Sequence, residues 1–348
     1  MNVSPEKKPP SEVKPSFEKE AYEGAPSTLC KGCGHDTISN AIRTAIFELQ
    51  LPPWSIGKFS GIGCSSKTPA YFLGASHGFN SVHGRMPSMA TGAQVVRPSI
   101  KYLGVSGDGD TASIGLGQFL HMARKNLDIL YIIENNGCYG LTKGQFSATA
   151  DEGSTVKGSR EVNPFPAMDC CLLAIQTGAT FVARSFSGDR KQLVPLIKAG
   201  LSHQGTAIID VISPCVTFND HETSTKGYKK MQEDDIPLQE MGYIPHAEEI
   251  HVDVEPGKDF EVILHDGSAL TLHKLSEELF DPSNSLNAFQ LIQKEKEAHK
   301  IHTGLLYFNP NRPDLTGTLN LVDSDLSNLT EKDLRPSPEV LKQLFRRN

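Results

Sequence analysis

No stretch of the 348 residues strings together eighteen apolar side chains, and no basic cluster at the start runs into an apolar one. The sequence therefore offers neither a membrane-spanning helix nor a secretion leader, and a cytoplasmic protein is expected, without a membrane partner. Basic charge is scarce as well: 34 Lys and Arg stand against 41 Asp and Glu, a net charge of −7 with both signs interspersed. No nucleic-acid-binding surface is expected from such a balance. Cysteines number seven, an odd count for a disulfide framework, so they read as ligands or core thiols in a reducing compartment. What is plentiful is glycine (30), proline (22) and apolar content (38%), enough for one large α/β domain with an appendage.

The segment GDGDTASIGLGQFLHMARKNLDILYIIENNGC, residues 107–138, organises the chain. A short apolar run at 102–105 delivers its first glycine to a sheet edge. Ala112, Ile114, Leu116, Phe119, Leu120 and Met122 then recur at roughly helical spacing, in a helix expected to begin near Thr111. A second apolar strand, 127–133, carries Asn135 and Asn136 to the same edge. A strand–helix–strand crossover of this length returns both loops to the carboxyl ends of neighbouring parallel strands, where open α/β sheets bind ligands. The residue types suit a magnesium diphosphate, since Mg²⁺ prefers hard oxygens. Asp108 offers a carboxylate, Asn136 a side-chain oxygen and Cys138 its main-chain carbonyl. Gly107 and Gly109 let backbone approach phosphate closely, and the helix start turns N–H groups toward the anion. The GDG…NN pair with its intervening strand strongly resembles the magnesium motif of thiamine-diphosphate enzymes.

Taken in order, residues 1–24 form a flexible arm, its first twenty rich in Pro, Lys and Glu. Cys30 and Cys33 make a C-x-x-C, which on its own suits a redox dithiol, half of a zinc site or half of an iron–sulfur site. Asp36 or Thr37 caps the helix that follows, with Ile38, Ala41, Ile42, Ala45 and Ile46 on one face. Residues 57–67 (GKFSGIGCSSK) read as a strand ending in a glycine-rich loop that presents Cys64, Ser65, Ser66 and Lys67. The strand at 206–212 ends just before Cys215, the obvious distant partner, so Cys30, Cys33, Cys64 and Cys215 are expected near one sheet edge. A short strand at 79–82 leads to His83, Gly84 and Arg85, ahead of a small-residue helix. Beyond Cys138, Gly140 and Leu141 lie close enough to touch a cofactor, and Lys143 is a candidate substrate cation. Strands and helices alternate to residue 212, which predicts a mostly parallel sheet covered on both faces. Cys170 and Cys171 fall in an apolar helix and read as core thiols. After residue 220 come a polar loop, short strands at 251–254, 260–265 and 269–272, and a charged helix at 286–298.

With the C-x-x-C, the GIGCSSK loop, His83-Gly84-Arg85, GDG…NN and Ser-Pro-Cys215 in this order, residues 25–235 closely resemble the β subunit of 2-oxoacid:ferredoxin oxidoreductases, most of all the 2-oxoglutarate type. The resemblance implies the pyrophosphate-type domain of the thiamine-diphosphate-binding fold, a mostly parallel doubly wound sheet, and a C-terminal extension, 236–348, that covers a partner or the site. It implies a [4Fe–4S] cluster on Cys30, Cys33, Cys64 and Cys215, and Mg²⁺ on Asp108, Asn136 and the Cys138 carbonyl. Thiamine diphosphate would further touch Ile62, Gly63, Cys64, Ser65, His83, Gly84, Gly109, Asp110, Gly140 and Leu141. The implied reaction is oxidative decarboxylation of a 2-oxoacid to acyl-CoA and carbon dioxide, with electrons passing through the cluster to ferredoxin. No glutamate stands in a motif suited to activating the cofactor; in this family a partner α subunit supplies it, so the chain is expected to be active only in that company. Lys67 and Lys143 would pair with substrate carboxylates, which favours 2-oxoglutarate over pyruvate. The competing expectations are a non-oxidative thiamine decarboxylase with structural zinc, and a non-catalytic iron–sulfur electron-transfer subunit.

Overall fold

Six strands carry the apolar runs of the first two thirds of the chain: β1 (Ile56–Ser60), β2 (His77–Asn80), β3 (Lys101–Gly107), β4 (Ile129–Asn135), β5 (Phe181–Phe186) and β6 (Thr206–Ile212). They pair in parallel in the order β2-β1-β3-β4-β6-β5. β4, β5 and β6 are buried at every residue, as strands covered on both faces must be. The computed structural model describes residues 17–142, 144–155, 161–217, 250–263, 269–276, 280–298 and 300–346. Lys143 and the polar loop after residue 220 lie outside them.

Helices cover both faces. On one, α1 (Gly34–Glu48) and α5 (Arg190–Ser202) bury Ile38, Ile42, Ile46, Leu193 and Ile197 against β3, β4 and β6. On the other, α2 (Met86–Val96), α3 (Leu116–Lys125) and α4 (Cys170–Thr177) bury Ala90, Phe119, Met122 and Ala174. Cys170 and Cys171 are fully inside this second core, as expected of packing thiols. The predicted apolar face of the first helix is confirmed residue for residue. Its start is not. α1 begins at Gly34, with Cys33 as its cap and no side-chain cap bond, three residues ahead of the nearer expected cap, Asp36. Gly34 permits the early start because a Cβ there would lie 2.6 Å from the hydroxyls of Ser187 and Ser213.

The helix expected near Thr111 is also different. Gly109–Ile114 forms a π-helical turn, and the regular helix starts only after Gly115. Such a wide turn is usually found at a functional position.

The last third extends the same sheet. β9 (Ile301–Phe308) pairs antiparallel with β5, and β8 (Ala269–Lys274) and β7 (Asp259–Ile263) follow it, giving nine strands. α6 (Ser285–Ala298), where a charged helix was predicted, adds Ala288 and Ile292 to the core beneath α3 and α4. Residues 251–254 form no strand; Val252 N–H instead bonds Gly188 O at 3.1 Å. At the other end, the start of the described chain is pinned, with Tyr22 fully buried against Phe17 and Phe47.

Candidate cofactor and cluster site

The carboxyl ends of β1, β3 and β4 and the loops beyond them enclose a cavity of about 130 Å³. Its lining brings together Ile62, Gly63, Cys64, Ser65, His83, Asp108, Gly109, Asp110, Asn136, Cys138, Gly140 and Leu141, all singled out in the sequence. It adds His35, Glu134, Tyr139 and Thr142, which were not.

Asp108, just past β3, is almost wholly buried. One of its oxygens accepts from Thr149 Oγ1 at 2.6 Å and from the Ser147 hydroxyl; the other accepts from Asn136 N–H at 3.3 Å. Asn136 Oδ1 accepts from Cys138 N–H at 3.1 Å, which folds the loop back on itself. The carboxylate and amide oxygen thus converge on one wall, where a hard cation could be held. Glycines shape the same wall. A Cβ on Gly107 would lie 2.8 Å from Ser65 Oγ, and one on Gly109 2.6 Å from the Tyr139 ring.

Asp110 faces inward. Its Oδ1 accepts from Gly84 N–H at 2.9 Å and Ile62 N–H at 3.4 Å, and its Oδ2 from Ser106 Oγ at 2.8 Å. One carboxylate therefore ties the loops after β1 and β2 to β3. Gly61 leaves it room, since a Cβ there would come within 1.8 Å of Asp110 Oδ2.

Cys64 and Cys138 bring sulfur into the same lining. Burial raises the Cys64 thiol to about 11, and neighbouring Cys215 and Cys30 push it further while Lys67 pulls it down. Burial raises Cys33 well up too, with Cys215 adding to it. Cys215 thus lies within electrostatic reach of both Cys33 and Cys64, and Cys30 within reach of Cys64, while no disulfide joins any of the seven. Among the described residues, no three His, Cys, Asp or Glu side chains close around a single metal ion. Cys138 faces both ways: its backbone follows the metal wall, while its thiol bonds to Cys215, the leading cause of its strongly raised pKa. Lys67 is half-buried beside Cys64 and, like the exposed Arg85, does not line the cavity; His83 does, and is exposed.

Glu134 also lines the cavity, fully buried near the end of β4 with neither carboxylate oxygen in a hydrogen bond. Burial pushes its pKa well up, against a smaller opposing effect of Thr68. His35 Nδ1 is 3.8 Å away and bonds Ser213 Oγ at 2.8 Å; burial lowers its pKa to about 4. The sequence held a signal for Glu134, a lone charge closing an apolar strand. His35, Ser147 and Thr149 gave none, since each becomes part of the site only when distant loops fold together.

Residues 58–211 match the thiamine pyrophosphate enzyme C-terminal TPP-binding domain family. The chain is 43% identical over 198 residues to the β subunit of 2-oxoacid:ferredoxin oxidoreductase 1 of Aeropyrum pernix, covering 57% of this chain and 62% of that one. It is 41% identical over 208 residues to the corresponding β subunit of Saccharolobus solfataricus, covering 59% and 68%. The first alignment thus spans less than two thirds of the relative's length. Among solved structures, a 2-oxoglutarate:ferredoxin oxidoreductase from Magnetococcus marinus, with 2-oxoglutarate, coenzyme A and succinyl-CoA bound, superposes with a TM-score of 0.73 at 29% identity, covering 95% of this chain and 97% of that chain. A doubly wound sheet, a thiamine-type domain and this degree of identity place the chain in the 2-oxoacid:ferredoxin oxidoreductase β-subunit family.

Proposed function

We propose that the chain holds the cofactors of a two-subunit, cytoplasmic enzyme that oxidatively decarboxylates a 2-oxoacid, 2-oxoglutarate ahead of pyruvate, to acyl-CoA and carbon dioxide, with ferredoxin as electron acceptor. The observation that carries this reading is one cavity whose lining includes both the oxygen donors Asp108 and Asn136 and a member of the thiol group, Cys64. When bound, thiamine diphosphate would supply the electron sink for loss of carbon dioxide, and a [4Fe–4S] cluster the one-electron acceptor beside it. Asp108, Asn136 and the Cys138 carbonyl would hold Mg²⁺ on the diphosphate. Gly107 and Gly109, lacking a Cβ, let Ser65 and the Tyr139 ring close in beside the metal wall. Cys30, Cys33, Cys64 and Cys215 would hold the cluster, which accords with the mutual influence of their thiols.

Asp110 fixes the loops that form the cavity walls. Glu134 is the one glutamate among the described residues lining the cavity, and it faces His35 and Thr68. The cofactor-activating glutamate would therefore come from a partner α subunit. The 2-oxoglutarate preference is supported by the ligands of the Magnetococcus enzyme and by Lys67 beside the cavity.

Iron, sulfide, zinc and thiamine should be measured together on anaerobically purified protein with whatever subunit accompanies it. About four irons and four sulfides per chain, with bound thiamine diphosphate, are expected. Colourless protein carrying zinc would instead favour a non-oxidative decarboxylase, and iron without thiamine would favour a non-catalytic electron carrier.

A further inference from the structure

Far from the cavity mouth, β5 buries a full positive charge. Arg184 is 3% exposed and is met by three carboxylates from three elements. Its Nη1 donates to Glu295 Oε2 of α6 at 2.6 Å, its Nη2 to Asp169, the cap of α4, and its Nε lies 3.5 Å from Asp210 Oδ2 of β6. Glu295 is held in turn by His302 of β9, whose N–H donates to Oε1 at 2.9 Å. Stability alone is a weak reason to bury such a cluster, because well-packed apolar residues of similar volume often serve as well or better.

The network also does not end at Arg184. The second oxygen of Asp210 accepts from Asn135 Nδ2 at 3.0 Å. That bond fixes which way the Asn135 amide faces, so its oxygen must point to Thr149 Oγ1, 3.0 Å away. Thr149 has one hydroxyl proton and at least three oxygens within reach of it: Asn135 Oδ1, Asp108 Oδ2 at 2.6 Å and, at 3.0 Å, Ser147 Oγ, whose hydroxyl also donates to Asp108. Of the three groups that hold Asp108, Thr149 is thus the one linked through Asn135 and Asp210 to Arg184, while Ser147 and Asn136 N–H hold the carboxylate from within the loops.

We propose that Arg184 is a positioning residue for the metal loop, and that through it Glu295 of the C-terminal helix α6 fixes the orientation of Asp108. This role presupposes the magnesium–thiamine diphosphate assignment made above. It gives the extension a part in the site without touching the cavity: α6 holds Arg184, and Arg184 holds the floor beneath the metal loop. Residues that orient metal ligands in this way commonly matter to metal affinity almost as much as the ligands themselves.

The test is the magnesium dependence of thiamine diphosphate binding, followed by calorimetry on the enzyme as it purifies, with wild type, Glu295→Gln, Asp210→Asn and Arg184→Lys. Glu295→Gln removes the distant charge at constant shape and should raise the half-saturating Mg²⁺ concentration about tenfold. Saturating Mg²⁺ should restore wild-type cofactor affinity. Asp210→Asn should do at least as much, and Arg184→Lys should fall between wild type and Glu295→Gln. Combining Glu295→Gln with Thr149→Val should cost less than the two effects multiplied, as for links of one chain. A purely structural role would lower the melting temperature and leave the Mg²⁺ requirement of every variant at the wild-type value, which would overturn the proposal. Fully multiplicative effects of Glu295→Gln and Thr149→Val would also overturn it. Wild-type protein that binds no magnesium–thiamine diphosphate would overturn the cofactor assignment, and this role with it.

Discussion

Lys58, on β1, is a buried cation that meets carbonyls in place of an anion. Its Nζ donates to Pro69 O and Phe72 O at 2.6 Å and to Leu73 O at 2.9 Å, which closes the loop that starts with Cys64. Burial lowers its pKa to about 8, from an ordinary value of 10.5. Between those values the folded chain binds fewer protons than the unfolded one, so unfolding free energy should rise with pH across that window. Lys58→Met should lose about 3 kcal/mol at pH 7, because buried carbonyls are left unpaired, and should lack that rise. Urea titrations at pH 7 and pH 10 check both. Glu134 has the opposite sign. A carboxyl whose folded pKa is raised contributes stability that is fully present below its unfolded pKa and is lost as pH climbs toward the folded one. Glu134→Gln should therefore be more stable than wild type at pH 8 and closer to it at pH 5, again by urea titration. A buried lysine in the middle of GKFS carries no sequence signal for this role, since its three acceptors are backbone groups supplied by the fold.

At the scale of elements, the central parallel strands were legible because each is a short apolar run between glycine- or polar-rich loops, and 206–212 was predicted to the residue, whereas the exposed edge strand β2 lies at His77–Asn80, two residues ahead of the expected 79–82. Three features were not. The π-turn at Gly109–Ile114 depends on the close approach of Gly84 to Gly115, which no local pattern encodes. β9 mixes apolar and polar residues without clean alternation, and its place beside β5 comes from a chain reversal that periodicity cannot show. The start of α1 at Gly34 is set by two serines more than 150 residues away. At the glycine contact, Gly84 has φ +66°, and a Cβ there would lie 2.5 Å from Gly115 Cα. Gly84→Ala should destabilise the chain by about 3 kcal/mol, because backbone strain and overpacking add. A melting curve compared with that of Gly78→Ala, where a Cβ meets nothing within 4 Å, would isolate the effect.

For the whole molecule, Leu141 at the cavity and Val82, Ile114, Phe165 and Met168 on other loops and turns remain exposed. Exposed apolar groups, one of them at a polar site, are what a partner surface requires. Phe165→Asp and Leu141→Asp should reduce the amount of partner subunit that co-purifies while the iron content per chain stays at the wild-type level. Loss of iron together with the partner would point to a folding defect instead. Substrate preference belongs to this scale too, since it draws on loops from separate parts of the chain. Lys143→Ala should impair turnover of 2-oxoglutarate more than that of pyruvate, and equal losses would remove the lysine from substrate recognition.

Cys33 has two tasks: it caps α1, and it belongs to the thiol group whose members are as far apart in sequence as Cys30 and Cys215. A cluster there would act as a clasp across a loop of nearly the whole domain, fastened to the first turn of a helix that lines one entire core. Oxidative damage would then be more than a loss of electron transfer. It would release the clasp, free the start of α1 and expose amides in the Gly34–Glu48 segment to hydrogen exchange, so that a chemically spent subunit becomes a loosened one that proteases can distinguish from its intact copies.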